Sequence, residues 1–182
     1  MCRCPQHTRH HTRRQAIGLF AGLPLLAACK PQIEGPEEIR WGRETCEICG
    51  MIISDPFFAA EIRGGADRKL YKFDDIGDAV HWLKMQDWAE AADVAPDQNP
   101  DQNPDQNPGI EFWVRDVETG TRWLDARGAR YLTGLVSPMD YGFGAVESSG
   151  PDTVSYPEMF QAALDMGLSS RCLPQVLENY EG

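Results

Sequence analysis

Histidine is scarce in this chain. Three of its four histidines, His7, His10 and His11, fall in the first 28 residues, and only His81 follows. That excludes a multi-histidine zinc or type 2 copper site from the rest of the sequence. A second Cys-x-x-Cys is also missing, so Cys46 and Cys49 have no partner pair to complete a four-coordinate zinc site. Long apolar runs are lacking too: the stretch from Ala16 to Ala28, about 13 residues, is too short to span a bilayer but fits the core of a signal peptide. Basic residues are outnumbered 17 to 28. Without the four arginines of the first 28 residues the balance is 13 against 28, a formal −15, which disfavours nucleic acid or anionic lipid as a partner. No phosphate cradle is present, and no nucleophile stands beside a general base, so the expectation is a protein that is not an enzyme.

The first 28 residues carry Arg3, Arg9, Arg13 and Arg14 and no acidic residue. They end Leu26-Ala27-Ala28-Cys29, which resembles a bacterial lipobox, with Cys29 lipidated and made the mature N-terminus. Thr12-Arg13-Arg14-Gln15-Ala16-Ile17 partly matches a twin-arginine export signal. The expectation is a lipoprotein signal peptide over 1–28 and a lipid anchor on the periplasmic side of a bacterial membrane. Acyl chains on one residue give stable attachment. Residues 29–45, with Pro31, Gly35 and Pro36, read as a flexible tether. With Cys29 acylated, Cys46, Cys49 and Cys172 remain. An odd number of thiols is a poor disulfide framework in an oxidising compartment.

Phe57 to Arg63 and Lys69 to Phe73 have strand character, with Gly64-Gly65 between them. Asp74 or Asp75 then caps a helix whose apolar residues Ile76, Ala79, Val80 and Leu83 recur at helical spacing. Asp97-Gln98-Asn99-Pro100 is repeated at 101–104 and 105–108; such a polar, proline-bearing insertion, 95–109, builds neither core nor ladder. Strand character resumes from Ile110 to Val117, and Glu118-Thr119-Gly120 turns the chain toward Trp123. Faint echoes suggest a duplication: Asp55 to Glu61 matches Tyr141 to Glu147, and Phe73-Asp74-Asp75-Ile76 matches Tyr156-Pro157-Glu158-Met159. Met51 and Met139 each precede a half. The expected architecture is α+β, two similar strand-strand-helix-strand units packed as one body over 46–168 (about 46–117 and 118–168), with a tail at 169–182.

Chemistry concentrates in Cys46-Glu47-Ile48-Cys49-Gly50-Met51. Three uses of these sulfurs compete. A structural disulfide or buried sulfur packing is the simplest. Thiol–disulfide exchange has the right spacing, but that motif works at a helix N-terminus after a strand, and no such pattern precedes Cys46. A soft-metal site is the third: Cu(I) needs only two or three soft ligands and accepts a thioether. Cys49 and Met51 can face one ion, with Gly50 allowing the bend. The best remote third ligand is Met139, in Ser137-Pro138-Met139-Asp140. Cys46 is a possible accessory, as ligand or redox partner. His81 is expected as an ordinary, partly exposed helix residue and only a possible accessory. Cys172, in the tail without a partner motif, has no assigned role.

Cys49-Gly50-Met51-Ile52-Ile53-Ser54-Asp55, Lys72-Phe73-Asp74-Asp75-Ile76 and Ser137-Pro138-Met139 with Gly144-Ala145-Val146, on a lipobox leader, resemble the NosL family, the accessory lipoproteins of nitrous oxide reductase maturation. The resemblance spans roughly Cys46 to Met166. It implies a membrane-anchored Cu(I) chaperone whose partners are nitrous oxide reductase and its ABC-type membrane maturation complex. It also implies a duplicated ββαβ fold related to that of organomercurial lyase, and metal ligands Cys49, Met51 and Met139. Lyase-like chemistry would need Cys172 to fold back onto Cys46 and Cys49.

Overall fold

The structure is a computed structural model that describes residues 34–92 and 109–172. The leader 1–28, the lipidation residue Cys29, the tetrapeptide repeats of 97–108 and the tail from 173 onward lie outside the described residues. Among the described residues no helix is long and apolar enough to cross a membrane.

Strand β1 (Ala60–Gly64) is buried along all five residues, because it is the inner strand of a sheet covered on both sides. It pairs antiparallel with β2 (Lys69–Phe73), in the register Ala60 to Phe73 and Gly64 to Lys69. The chain then enters α1 (Ile76–Lys84) and the short α2 (Asp87–Ala92). It returns as β3 (Glu111–Arg115) on the other edge of β1 and turns into β4 (Trp123–Asp125), giving the order β2-β1-β3-β4. The strands and the helix expected from alternation and helical spacing are therefore present. Ile76, Ala79, Val80 and Leu83 are buried as their spacing requires, and Gly77, Asp78, His81 and Trp82 are buried as well.

A second antiparallel sheet, ordered β6-β5-β7, is built from β5 (Arg130–Leu132), β6 (Gly144–Val146) and β7 (Thr153–Val154). Helix α3 (Tyr156–Met166) follows. Its start is fixed by a capping box, with the Glu158 carboxylate accepting from the Ser155 N–H at 2.7 Å. The protein is thus a mixed α+β body with two antiparallel sheets. Its second half differs from the expected ββαβ unit. Three strands precede the helix, the central strand is β5, and no strand follows α3 among the described residues. The echo of 55–61 in 141–147 did locate β6; the short β5, only three residues long, gave too little alternation to be seen.

Several contacts join the halves. Asp116 bridges in parallel to Ala145, α1 packs on α3, and Phe112 of β3 meets Tyr156 of α3 edge-on at 6.1 Å between centroids. Over its described part, 34–45, the expected tether is packed against the domain. From Glu34 onward the chain lies against the first sheet: Ile39 is buried in the core, the Glu37 N–H donates to Glu61 Oε2 at 2.8 Å, and Glu38 pairs with buried Arg115 at 2.9 Å. One large apolar side chain and two buried charged groups that need partners are enough to fix it.

Candidate metal centre

Residues 44–53 form a tight hairpin that carries the sulfurs. Its rungs are the Ile53 N–H to Glu44 O at 2.9 Å, the Thr45–Ile52 bridge, and the Cys46 N–H to Met51 O at 2.8 Å. Gly50 closes the tip with φ +67°, a left-handed conformation that glycine adopts without strain, and its N–H donates to Cys46 O at 2.9 Å. The tip is pinned to β2 by the Glu47 N–H donating to Lys72 O at 2.9 Å. Within this knuckle the backbone amide of Cys49 lies near the Cys46 sulfur, and that of Met51 near the Cys49 sulfur. Both contacts favour a thiolate.

Helix α1 supplies the other side. Asp75 is its N-cap and accepts from the Gly77 N–H at 3.0 Å. One turn further in, buried Asp78 accepts from the Cys46 thiol at Oδ2, 3.3 Å, and from the Cys172 thiol at Oδ1, 3.2 Å. Cys49 lies close enough to both of those thiols and to Asp78 to influence their protonation. Ligand atoms of Cys46, Cys49, Asp74 and Asp78 all lie within 4.8 Å of one another. All three cysteines are free and buried.

This environment sets the protonation. The Cys46 thiol is pushed far up by its hydrogen bond with Cys49, by burial and by the Asp78 charge. Cys49 is pushed up by the Cys172 thiol and by burial, against the opposing bond from Cys46. Burial raises Asp78 to about 6 in spite of its thiol donors, and raises Asp74 to about 7 with help from the charges of Asp78 and Asp75. Asp74 Oδ1 is buried without a hydrogen-bond partner. Such thiols are weak nucleophiles in the metal-free protein, whereas a soft cation can displace their protons.

A third element converges on the same helix turn. Asp75 Oδ2 accepts from the Ser137 hydroxyl at 2.6 Å and from the Met139 N–H at 3.0 Å, and the Gly142 N–H donates to Ser137 Oγ at 2.9 Å. The loop 137–142 is thereby held on the N-terminus of α1, with Met139 buried. Tyr141 lies across Gly77, and its hydroxyl accepts from the Ser169 N–H at 2.9 Å. Arg171 pairs with Asp140 at 2.9 Å and donates to Pro138 O. The chain after α3 is thus a hook, 167–172, that delivers Cys172 into the cluster.

Of the residues singled out from sequence, Cys46 and Cys49 stand together. Met51 is half-buried at the end of the knuckle, and Met139 is placed by its backbone on the cap of α1. His81 is not the partly exposed helix residue expected: it is buried between the helices, its Nε2 3.0 Å from Ala163 O and its ring 5.6 Å from that of Tyr141. Burial also lowers its pKa. Cys172, which sequence left without a role, is fully buried against Asp78 because the hook folds back. Asp78 was missed as well. An acidic residue three positions after an N-cap reads as a favourable first-turn charge, and nothing in its local pattern signals its burial.

No family model matches the chain, and no curated protein matches it either. Among solved structures, the chain is similar to the crystal structure of the copper chaperone NosL from Shewanella denitrificans. The identity is 16% and the TM-score 0.44, over 72% of this chain and 87% of that one. That neighbour bears the name of the family that the sequence motifs resemble.

Proposed function

We propose that the protein is a carrier of Cu(I) rather than a catalyst: a lipid-anchored chaperone on the periplasmic side that delivers copper for nitrous oxide reductase maturation, docking on the ABC-type membrane complex. The observation that carries the copper reading is the knuckle. Two free, buried thiols, each met by a backbone N–H, share a space under 5 Å wide with two carboxylates. Soft sulfur selects Cu(I) over harder cations. Met51 at the end of the knuckle and Met139 on the helix cap are the thioethers that would complete or relay the ion. The remaining parts of the reading, anchoring and partner, rest on the leader and on the motif resemblance.

Titration of the reduced protein with Cu(I) against a competing chelator tests it. One tightly bound equivalent is expected, lost in Cys49→Ser; unchanged affinity in Met51→Ala/Met139→Ala would remove the thioethers from the ligand set. Thiol–disulfide exchange by Cys46 and Cys49 is disfavoured, since both thiols are pushed up and sit in a hairpin instead of at a helix N-terminus. Insulin-reductase activity would restore it.

A second reading gains from the Cys172–Asp78 contact. Two thiolates could hold an organomercurial cation while the Asp78 carboxyl gives its proton to carbon; the carbon–mercury bond breaks, releasing the hydrocarbon and leaving Hg(II) on the two sulfurs. Hydrocarbon in the headspace over methylmercury and excess protein would favour it over the carrier.

A further inference from the structure

We propose that the copper ion is held by three thiolates, those of Cys46, Cys49 and Cys172, with Cys172 supplied by the C-terminal hook. The inference rests on the copper reading above and adds to it a ligand that lies outside the motifs. Cys172 is not a stray thiol. It is fully buried, and its sulfur lies 3.2 Å from Asp78 Oδ1, just as the Cys46 sulfur lies 3.3 Å from Asp78 Oδ2. The Asp78 carboxylate therefore bridges the two sulfurs on its two oxygens, with the Cys49 sulfur within 4.8 Å of both the Cys46 sulfur and the carboxylate.

The hook is held by four independent contacts. Ser169 N–H bonds the Tyr141 hydroxyl, Arg171 reaches Pro138 O and pairs with Asp140, and the Cys172 N–H closes a turn on Ser169 O at 2.9 Å. Tyr141, Pro138 and Asp140 all lie in the loop 137–142, which Asp75 fastens to the first turn of α1. The chain thus invests a loop, a helix cap and an ion pair in keeping one cysteine at this point. Three soft ligands meet the coordination demand of Cu(I). In the binding step each S–H is replaced by an S–Cu bond and its proton leaves to solvent; copper stays Cu(I) and no redox partner is needed. Release then has a path, because withdrawing the hook removes one ligand while the knuckle keeps two.

X-ray absorption of the full chain, loaded anaerobically with Cu(I) from its acetonitrile complex, counts the sulfurs. Three are expected in the Met51→Leu/Met139→Leu protein, where volume-conserving changes remove both thioethers. Two or fewer there would overturn the proposal. In Cys172→Ser the thiolate-to-copper absorbance should fall to about two thirds, and the affinity by about a hundredfold or more, beyond the cost of losing an outer-shell partner. An unchanged absorbance in that variant also overturns it. Wild-type protein that takes up no Cu(I) would instead remove the underlying copper reading. The methionine double variant keeps the test open if Cys172→Ser fails to fold.

Discussion

Substituting Gly77 by alanine tests how the site is held without touching any sulfur. Inside a helix this change ordinarily stabilises, by about 1 kcal/mol. Here the added Cβ would lie well under 3.0 Å from three ring carbons of Tyr141, closer than any real contact allows. The ring cannot simply swing away. It is buried, it faces the His81 ring at 5.6 Å, and its hydroxyl holds the Ser169 N–H. Overpacking of this kind costs about 1–3 kcal/mol, and losing the hydrogen bond adds about 1. A net destabilisation of about 1–3 kcal/mol is expected, read as a lower urea midpoint of the reduced, metal-free protein at unchanged slope. Displacing Tyr141 also unfastens the hook, so Cys172 should react with a thiol reagent faster than in the wild type. A variant as stable as the wild type, with Cys172 still shielded, would refute the placement of Tyr141 over Gly77 and with it the coupling of loop to hook.

Tyr141→Phe keeps the ring and removes only the acceptor for Ser169; it should cost about 1 kcal/mol and raise Cys172 alkylation, which mass spectrometry of the labelled peptide reports. Glu61 and Asp74 are raised by burial to about 7, and Asp78 to about 6. Between their unfolded and folded values the native state binds more protons than the unfolded one. The metal-free protein should therefore be most stable below about pH 4–5 as far as these groups decide it, and lose up to a few kcal/mol as pH rises to 7–8; urea midpoints across that range check it, and a rising trend would refute it. Copper affinity should move the opposite way. Thiols pushed up by their neighbouring thiols and by burial must lose their protons to bind, so chelator competition from pH 6 to 8 should show affinity rising by up to about tenfold per pH unit for each thiolate formed. Asp75→Ala removes the cap and the acceptor for both Ser137 and Met139; a loss of about 2–4 kcal/mol in urea denaturation is expected.

The parts of this molecule legible in sequence are those whose signal is local. Strand character gave β1 and β2, helical spacing gave α1, and the Asp74-Asp75 pair before an apolar helix marked its cap, which the structure assigns to Asp75. The knuckle was legible because Cys46, Cys49, Gly50 and Met51 are adjacent. The site was not legible in full, since its other half is assembled over long separations: Cys172 reaches Asp78 across 94 residues, and Ser137 reaches Asp75 across 62. Nothing in the local pattern of 167–172 announces a hook. Its fixing contacts are to a loop, not to a periodic element, and periodicity is what sequence reading detects.

Asp78 shows why this gap matters for function. A carboxylate in the first turn of a helix is ordinarily a modest dipole effect of under 1 kcal/mol. In this fold the same residue is removed from water and offered two S–H donors, one from the knuckle and one from the hook. Burying a lone charge there would be costly, and the thiols only partly offset it, which is why the acid is raised to about 6 despite its donors. The metal-free cluster therefore stores poorly matched protons on thiols and acid alike. A soft cation relieves that mismatch by taking the sulfurs and expelling protons, whereas a hard cation would compete for the carboxylates alone. On the proposed three-thiolate site, selectivity for a soft ion would follow from the whole arrangement of three sulfurs around one buried acid, and would weaken if Asp78 were moved into water even with every cysteine in place.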